Sequence, residues 1–144
     1  MSGSPKPQSR FPAKDLEVSY KDPIQLRARQ HNPRTHTRRQ ISQIAASIKE
    51  FGFVSPVLID ASDGIIAGHG RVQAAKLLGM NDIPTVRVDY LTPEQIRAYV
   101  IADNRLAELA GWDSRLLALE LQDLSIQPIL MSPLRGSTLP KSTS

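Results

Sequence analysis

Apolar residues recur at Ile41, Ile44, Ala45, Ile48 and Phe51. This i, i+3, i+4, i+7, i+10 spacing lines one face of an α-helix, and Gly52 supplies its stop. Elsewhere the period shortens to two. Leu16-Glu17-Val18-Ser19-Tyr20 alternates as a half-buried strand does, and so does Ile83 to Val88. Pro56 to Asp60 is a short apolar run, Ser62-Asp63-Gly64 reads as a turn, and Ile65-Ile66-Ala67 pairs back as a hairpin. A short helix runs from about Arg71 to Leu78, closed by Gly79. Thr92-Pro93-Glu94-Gln95 carries an N-cap, a proline at the first helical position and a glutamine three residues after the cap. The helix it opens extends to about Ala110. Gly111-Trp112-Asp113 breaks it, and Asp113 or Ser114 caps a last leucine-rich helix ending near Leu124. The order β, α, ββ, α, β, α, α predicts a small domain of the mixed α/β (α+β) class.

Three segments follow from this reading: a polar, flexible leader over 1–14, the domain over 15–124, and a loose Ser/Pro/Thr-rich tail over 125–144. With 144 residues and 40% hydrophobic content the chain is long enough for one domain with a real core. It contains no cysteine, which excludes a disulfide framework, a thiolate zinc site and a thiol nucleophile. No stretch resembles a signal peptide or a membrane span, so a cytoplasmic protein with no membrane partner is expected.

The net charge of +4 is unevenly placed. Residues 1–40 hold nine Lys/Arg against three Asp/Glu, whereas the remainder holds nine against eleven. The basic stretch is densest from Leu26 to Arg39. Arg27, Arg29, Arg38 and Arg39 are therefore candidate DNA contacts through phosphate neutralisation, or else part of a solvated arm. Arg38 and Arg39 also sit at a helix start, where they oppose the dipole unless a phosphate lies there.

Two stretches carry candidate chemistry. Gly68-His69-Gly70-Arg71 stands where a strand becomes a helix. Free N–H groups at a helix N-terminus favour an anion, glycines allow a close backbone approach, and an arginine fork matches phosphate oxygens. A plain tight turn uses the same glycines. Asp103-Asn104-Arg105 places two poor helix formers side by side within a helix, which suits either a cation ligand at Asp103 or a solvent-facing polar patch. His31, His36 and His69 lack zinc-site spacing. Trp112 reads as a packing anchor, and Leu116, Leu117, Leu121 and Leu124 as a core stripe or a dimer face.

Asn32-Pro33-Arg34, Ser47-Ile48 leading to Gly52 and Pro56-Val57, Gly68-His69-Gly70-Arg71-Val72-Gln73-Ala74-Ala75, and Asp103-Asn104-Arg105 follow one another in this order. Together they resemble the ParB/sulfiredoxin superfamily, and most closely its ParB-like N-terminal domain (often labelled a ParB-like nuclease domain), over about residues 16 to 110. The resemblance implies a ParB/sulfiredoxin-like domain with a short mixed sheet and C-terminal helices. It implies a site for Mg²⁺ with CTP or ATP, in which Gly68, His69, Gly70 and Arg71 form the phosphate loop. Asp103 would hold the metal, Asn104 would support it, and Arg34, Ser55 and Pro56 would line the same pocket. Partners implied are a nucleoside triphosphate, DNA and a second copy of the chain.

The chain departs from its relatives in places. ParB proteins read Gly-Glu-Arg-Arg where this chain has His69 and Gly70, and sulfiredoxins use a cysteine that is absent here. Free-serine kinases resemble one another in a carboxylate after the first loop, whereas Ala28 to Thr37 contains none. Gln95 to Glu108 with Gly111-Trp112-Asp113 looks most like ParB-like domains fused ahead of phage and prophage DNA methyltransferases. No methyltransferase motif is present, so the chain reads as such a front domain, freestanding or part of a longer protein. Three functions remain open: a nucleotide-binding, DNA-associated accessory domain with slow hydrolysis at most, a metal-dependent nuclease, and a nucleotide-free DNA-docking module.

Overall fold

The computed structural model describes residues 3–5, 14–30, 32 and 34–124. The expected tail over 125–144 and ten of the fourteen residues of the expected leader lie outside them, as do His31 and Pro33.

The elements run β1 (Val18–Lys21), a 3-10 turn (Pro23–Gln25), α1 (Arg38–Phe51), β2 (Val57–Ile59), β3 (Ile65–Ala67), α2 (His69–Leu77), β4 (Ile83–Arg87), α3 (Pro93–Leu109) and α4 (Ser114–Asp123). The expected order is observed, with the 3-10 turn added and α2 opening two residues earlier than its apolar pattern indicates. Both long helices begin with capping boxes. Thr37 exchanges hydrogen bonds with Gln40, and Thr92 with Gln95, each satisfying two helix-end donors.

The four strands form one mixed sheet in the order β1-β4-β2-β3. β1 is antiparallel to β4, β2 is parallel to β4, and β2–β3 is the expected antiparallel hairpin, with a register irregularity between Leu58 and Ile59. Strand periodicity then sorts the core onto two faces. Val57, Ile59, Ile65 and Ile83 pack with Leu26 and with Val72 and Ala75 of α2. Ile66, Val86 and Val88 pack with Ile96 and Val100 of α3. Helix α1 lies against α2. Thr85 is fully buried within β4, and its hydroxyl donates to the Ser19 carbonyl at 2.8 Å, so the core holds no orphaned hydroxyl there.

The hairpin turn is held by side chains. One Asp60 carboxylate oxygen accepts the N–H groups of Ser62 and Gly64, each at 2.8 Å. Asp63, at a φ of 65°, pairs with Arg87 at 2.8 Å and Lys21 at 3.1 Å.

Two packing expectations fail. Trp112 is 71% exposed rather than a packing anchor, and of the α4 leucines only Leu121 is buried. The reason lies in the packing: among the described residues α3 buries only Ile96 and Val100, and α4 makes only sparse contact with the other described elements. Among the described residues, no helix is long and apolar enough to cross a membrane.

Candidate functional site

Strand β3 ends at Ala67, and the chain turns through Gly68, whose φ of 108° lies in the left-handed region that disfavours a side chain. Helix α2 then begins at His69, and its first N–H groups have no partner inside the helix. Three other segments converge on this terminus. The loop before α1 brings Asn32, Arg34 and His36, α1 contributes Ile44 and Ser47, and α3 contributes Tyr99, Val100, Asp103 and Asn104 from one helical face. Together they line a cavity of about 430 Å³, within the range of small-molecule sites.

The glycines serve the protein's own packing. A Cβ at Gly68 would lie 3.0 Å from the Arg71 guanidinium and 3.2 Å from Val57 Cγ2. One at Gly70 would lie 2.9 Å from both His36 Nε2 and Ile44 Cδ1. Contact with protein atoms is thus one reason for glycine at these two positions, beside the close backbone approach to phosphate expected from the sequence.

Arg71 lies along the cavity wall, and its Nη2 donates to the Pro56 carbonyl at 3.0 Å. Its Nε is buried with no hydrogen-bond partner, and burial lowers the pKa of the guanidinium, although a free arginine titrates so high that the charge remains. An uncompensated buried donor of this kind favours an anion nearby. At the exposed edge, Arg34 Nη1 donates to Asn104 Oδ1 at 3.2 Å. Burial lowers the pKa of both His36 and His69, and each is lowered further by neighbouring positive charge, Arg34 for His36, and His36 and Arg29 for His69. Tyr99 is shifted upward, first by burial and then by the Asp103 carboxylate.

Of the residues expected at the site, Arg34, Gly68, His69, Gly70, Arg71, Asp103 and Asn104 meet in this one cavity. Neither Ser55 nor Pro56 is among the lining residues: Ser55 is exposed, and Pro56 touches the site only by accepting from Arg71 through its carbonyl. Arg27 and Arg29 line a second cavity of about 660 Å³ with Arg97 and Asp60. There Arg29 pairs with Asp60 at 3.1 Å, and Arg27 donates to the Ser62 carbonyl. Arg38 and Arg39 are exposed in the first turn of α1, which contains no acidic residue.

Sequence reasoning missed His36, Tyr99 and Arg97. Tyr99 stands four residues before Asp103 on the same helix face, a spacing that could have signalled it. His36 and Arg97 offered no local signal, because their neighbours in space are distant in sequence.

The donor set bears on which groups could bind. Among the described residues, Asp103 is the only carboxylate lining the first cavity, and no cluster of three or more His, Asp or Glu could enclose a metal ion. Mg²⁺ is commonly held by one or two carboxylates with substrate phosphates and water completing its octahedron, so the set fits a metal that arrives with a phosphate ligand.

The profile of the ParB N-terminal domain family matches residues 11–104. The chain is 46% identical over 80 residues to the ParB-like nuclease domain-containing protein YnaK of Escherichia coli, covering 56% of this chain and 92% of that protein. It is 43% identical over 74 residues to a probable chromosome-partitioning protein ParB of Treponema pallidum, covering 48% of this chain but only 23% of that longer protein. Among solved structures it is similar to C-terminally truncated Caulobacter crescentus ParB complexed with CTP-gamma-S. The TM-score is 0.65 at 21% identity, over 83% of this chain and 65% of that one, a likeness of fold.

Proposed function

Because the chain belongs to the ParB N-terminal domain family, we propose that it binds a nucleoside triphosphate with Mg²⁺ in the cavity at the start of α2, as a DNA-associated accessory domain. The observation that carries this reading is convergence. Arg34, the Gly68–Arg71 loop, Asp103 and Asn104 come from three separate stretches and line one cavity of about 430 Å³. Free N–H groups at the α2 terminus and Arg71 would grip phosphate oxygens, Arg34 and Asn104 would hold the ligand's exposed edge, and Asp103 would take one metal position. Mg²⁺ would supply charge neutralisation to the phosphates. CTP is the first candidate, since a ParB of the same fold has been solved with a CTP analogue; ATP is the second. Hydrolysis, if present, would be slow, because Asp103, the one carboxylate among the described lining residues, would be taken up by the metal and no general base is evident.

The nuclease named in the E. coli relative has less support here. Two-metal phosphodiester cleavage uses several carboxylates, and the cavity offers one. For DNA, Arg27, Arg29 and Arg97 around the second cavity, with Arg38 and Arg39 at the α1 start, form the candidate surface. The exposed apolar residues of α3 and α4 suit a second copy of the chain, and in a longer relative a methyltransferase domain. A cytoplasmic location accords with this role.

The test is calorimetric and thermal-shift titration with CTP, ATP and GTP, with and without Mg²⁺, on wild type, Arg34→Ala and Arg71→Ala. Ligand at about 100 times Kd adds about 2.7 kcal/mol to stability. A Mg²⁺-dependent shift with one triphosphate, reduced in both variants, is expected. No shift with any of them would overturn the reading and leave the DNA-docking module.

A further inference from the structure

His36 and His69 are 33 positions apart, yet both line the cavity at the α2 terminus. The His36 ring lies so close to α2 that a Cβ at Gly70 would fall 2.9 Å from its Nε2. His69 Nε2 lies 3.4 Å from the Arg29 backbone N–H, at the long limit of a hydrogen bond. A donor aimed at Nε2 favours the unprotonated atom, so this contact disfavours protonation of His69 in the free protein. Among the described residues, the charged and titratable groups around the two rings are Arg29 and Arg34 from the preceding loop, Arg71 from α2, and Tyr99 and Asp103 from α3, with Asp60 paired to Arg29; Ile44 and Ser47 of α1 carry no charge. Three guanidinium groups thus face two carboxylates, one of which, Asp60, is taken up by Arg29. In this field a positive charge on either ring is unfavourable until an anion enters, and the sign of the interaction then reverses.

We infer that His36 and His69 act together as a phosphate-gripping pair, taking up protons as a phosphate dianion enters the cavity. This rests on the nucleotide reading above and deepens it. It assigns recognition of the anion's charge to two groups that titrate near neutral pH, alongside Arg34 and Arg71, whose charge is permanent. Protonated at both nitrogens, each ring becomes a donor on both edges. For His69, protonation at Nε2 replaces the long contact from Arg29 with a charge-assisted bond to the ligand. The pocket would therefore discriminate by charge: a triphosphate or inorganic tripolyphosphate binds more tightly as pH falls toward about 6, while an uncharged nucleoside gains nothing.

The test is isothermal titration of the full chain with Mg²⁺–CTP, and separately with inorganic tripolyphosphate. Titrations run near pH 7 in buffers of unlike ionisation enthalpy, on wild type and on His36→Gln/His69→Gln. The double variant gives the baseline, since it retains the ligand's own protonation without the two imidazoles. Wild type should take up more protons than the variant, and its affinity should rise by up to about tenfold per pH unit for each additional proton. In parallel, imidazole proton resonances of wild type should titrate at higher pH with tripolyphosphate than without it, a readout that survives if the variant fails to fold. Equal proton uptake in the two proteins, or resonance midpoints that tripolyphosphate does not move, would overturn this inference while leaving nucleotide binding standing. No binding of either ligand at any pH would overturn both.

Discussion

Arg34 and Asn104, seventy positions apart, are joined by a 3.2 Å hydrogen bond from guanidinium to side-chain carbonyl. The bond ties the loop before α1 to α3 at the exposed edge of the cavity, so the two elements that flank the phosphate loop are held to each other.

Arg34 is exposed, and its removal should affect the ligand more than the fold. Arg34→Ala is expected to lower triphosphate affinity by about 10- to 100-fold, as loss of a charge-assisted bond does. Stability should change by no more than about 0.5 kcal/mol. Calorimetry and a thermal melt on the same sample check both. Wild-type affinity in the variant would remove Arg34 from the site.

Gly68 combines a φ of 108° with close neighbours on either side, whereas Gly79, at a φ of 72°, has open space around its missing Cβ. Gly68→Ala should cost about 1–3 kcal/mol through backbone strain and crowding against buried Val57. Gly79→Ala should cost about 1 kcal/mol, from strain alone. Urea unfolding of the pair compares them directly. Equal losses would mean that the packing around Gly68 contributes nothing.

Asp63 lies between Arg87 and Lys21, and their hydrogen bonds hold its carboxyl below the usual carboxylate range, Arg87 having the larger effect. A depressed folded-state pKa contributes stability that is present above the unfolded value and is lost as pH falls through the folded one. The melting temperature of wild type should therefore decline as pH drops below about 4. Asp63→Asn keeps a residue that tolerates the positive φ and should flatten that decline. Parallel acid limbs in the two proteins would show that the ion pairs do not couple to folding.

Arg97 lines the second cavity with the Arg29–Asp60 pair, and among the described residues no hydrogen bond or ion pair joins it to that pair. If this surface meets DNA phosphates, Arg97→Ala should weaken binding similarly across sequences and reduce the slope of log affinity against log salt by about 1. Triphosphate affinity should stay as in wild type. An unchanged slope would place DNA elsewhere.

The exposed apolar residues of α3, α4 and the turn between them include Leu106, Leu109, Trp112, Leu116 and Leu119. Trp112→Ser and Leu116→Ser should leave monomer stability within about 0.5 kcal/mol of wild type, since neither side chain is buried. Both should weaken self-association in sedimentation equilibrium. A monomeric wild type at every concentration, with and without nucleotide, would count against a homodimer.

Much of this was legible along the chain. The apolar face of α1, the capping signal that opens α3, the Ser62-Asp63-Gly64 turn and the strand-to-helix passage at Gly68 all follow from short-range periodicity, capping and turn chemistry. The start of α2 was less legible: Gly70 lies in its first turn although its residue type argues for a loop, because the helix must come close to His36 and Ile44. Trp112 and the α4 leucines misled for a related reason. A helix's apolar stripe shows that the face needs cover, while what covers it is a matter of packing.

Periodicity is local, and that is why residue order alone specifies each element and its apolar face. The site is built from contacts that span the chain. The β1-β4-β2-β3 order buries α2 and α3 on opposite faces of the sheet. The loop before α1 is left to close over the α2 terminus, which places His36 beside Gly70 and Arg34 beside Asn104. Each of those pairings depends on how two separate elements share one core, so it came into being only when the layers packed.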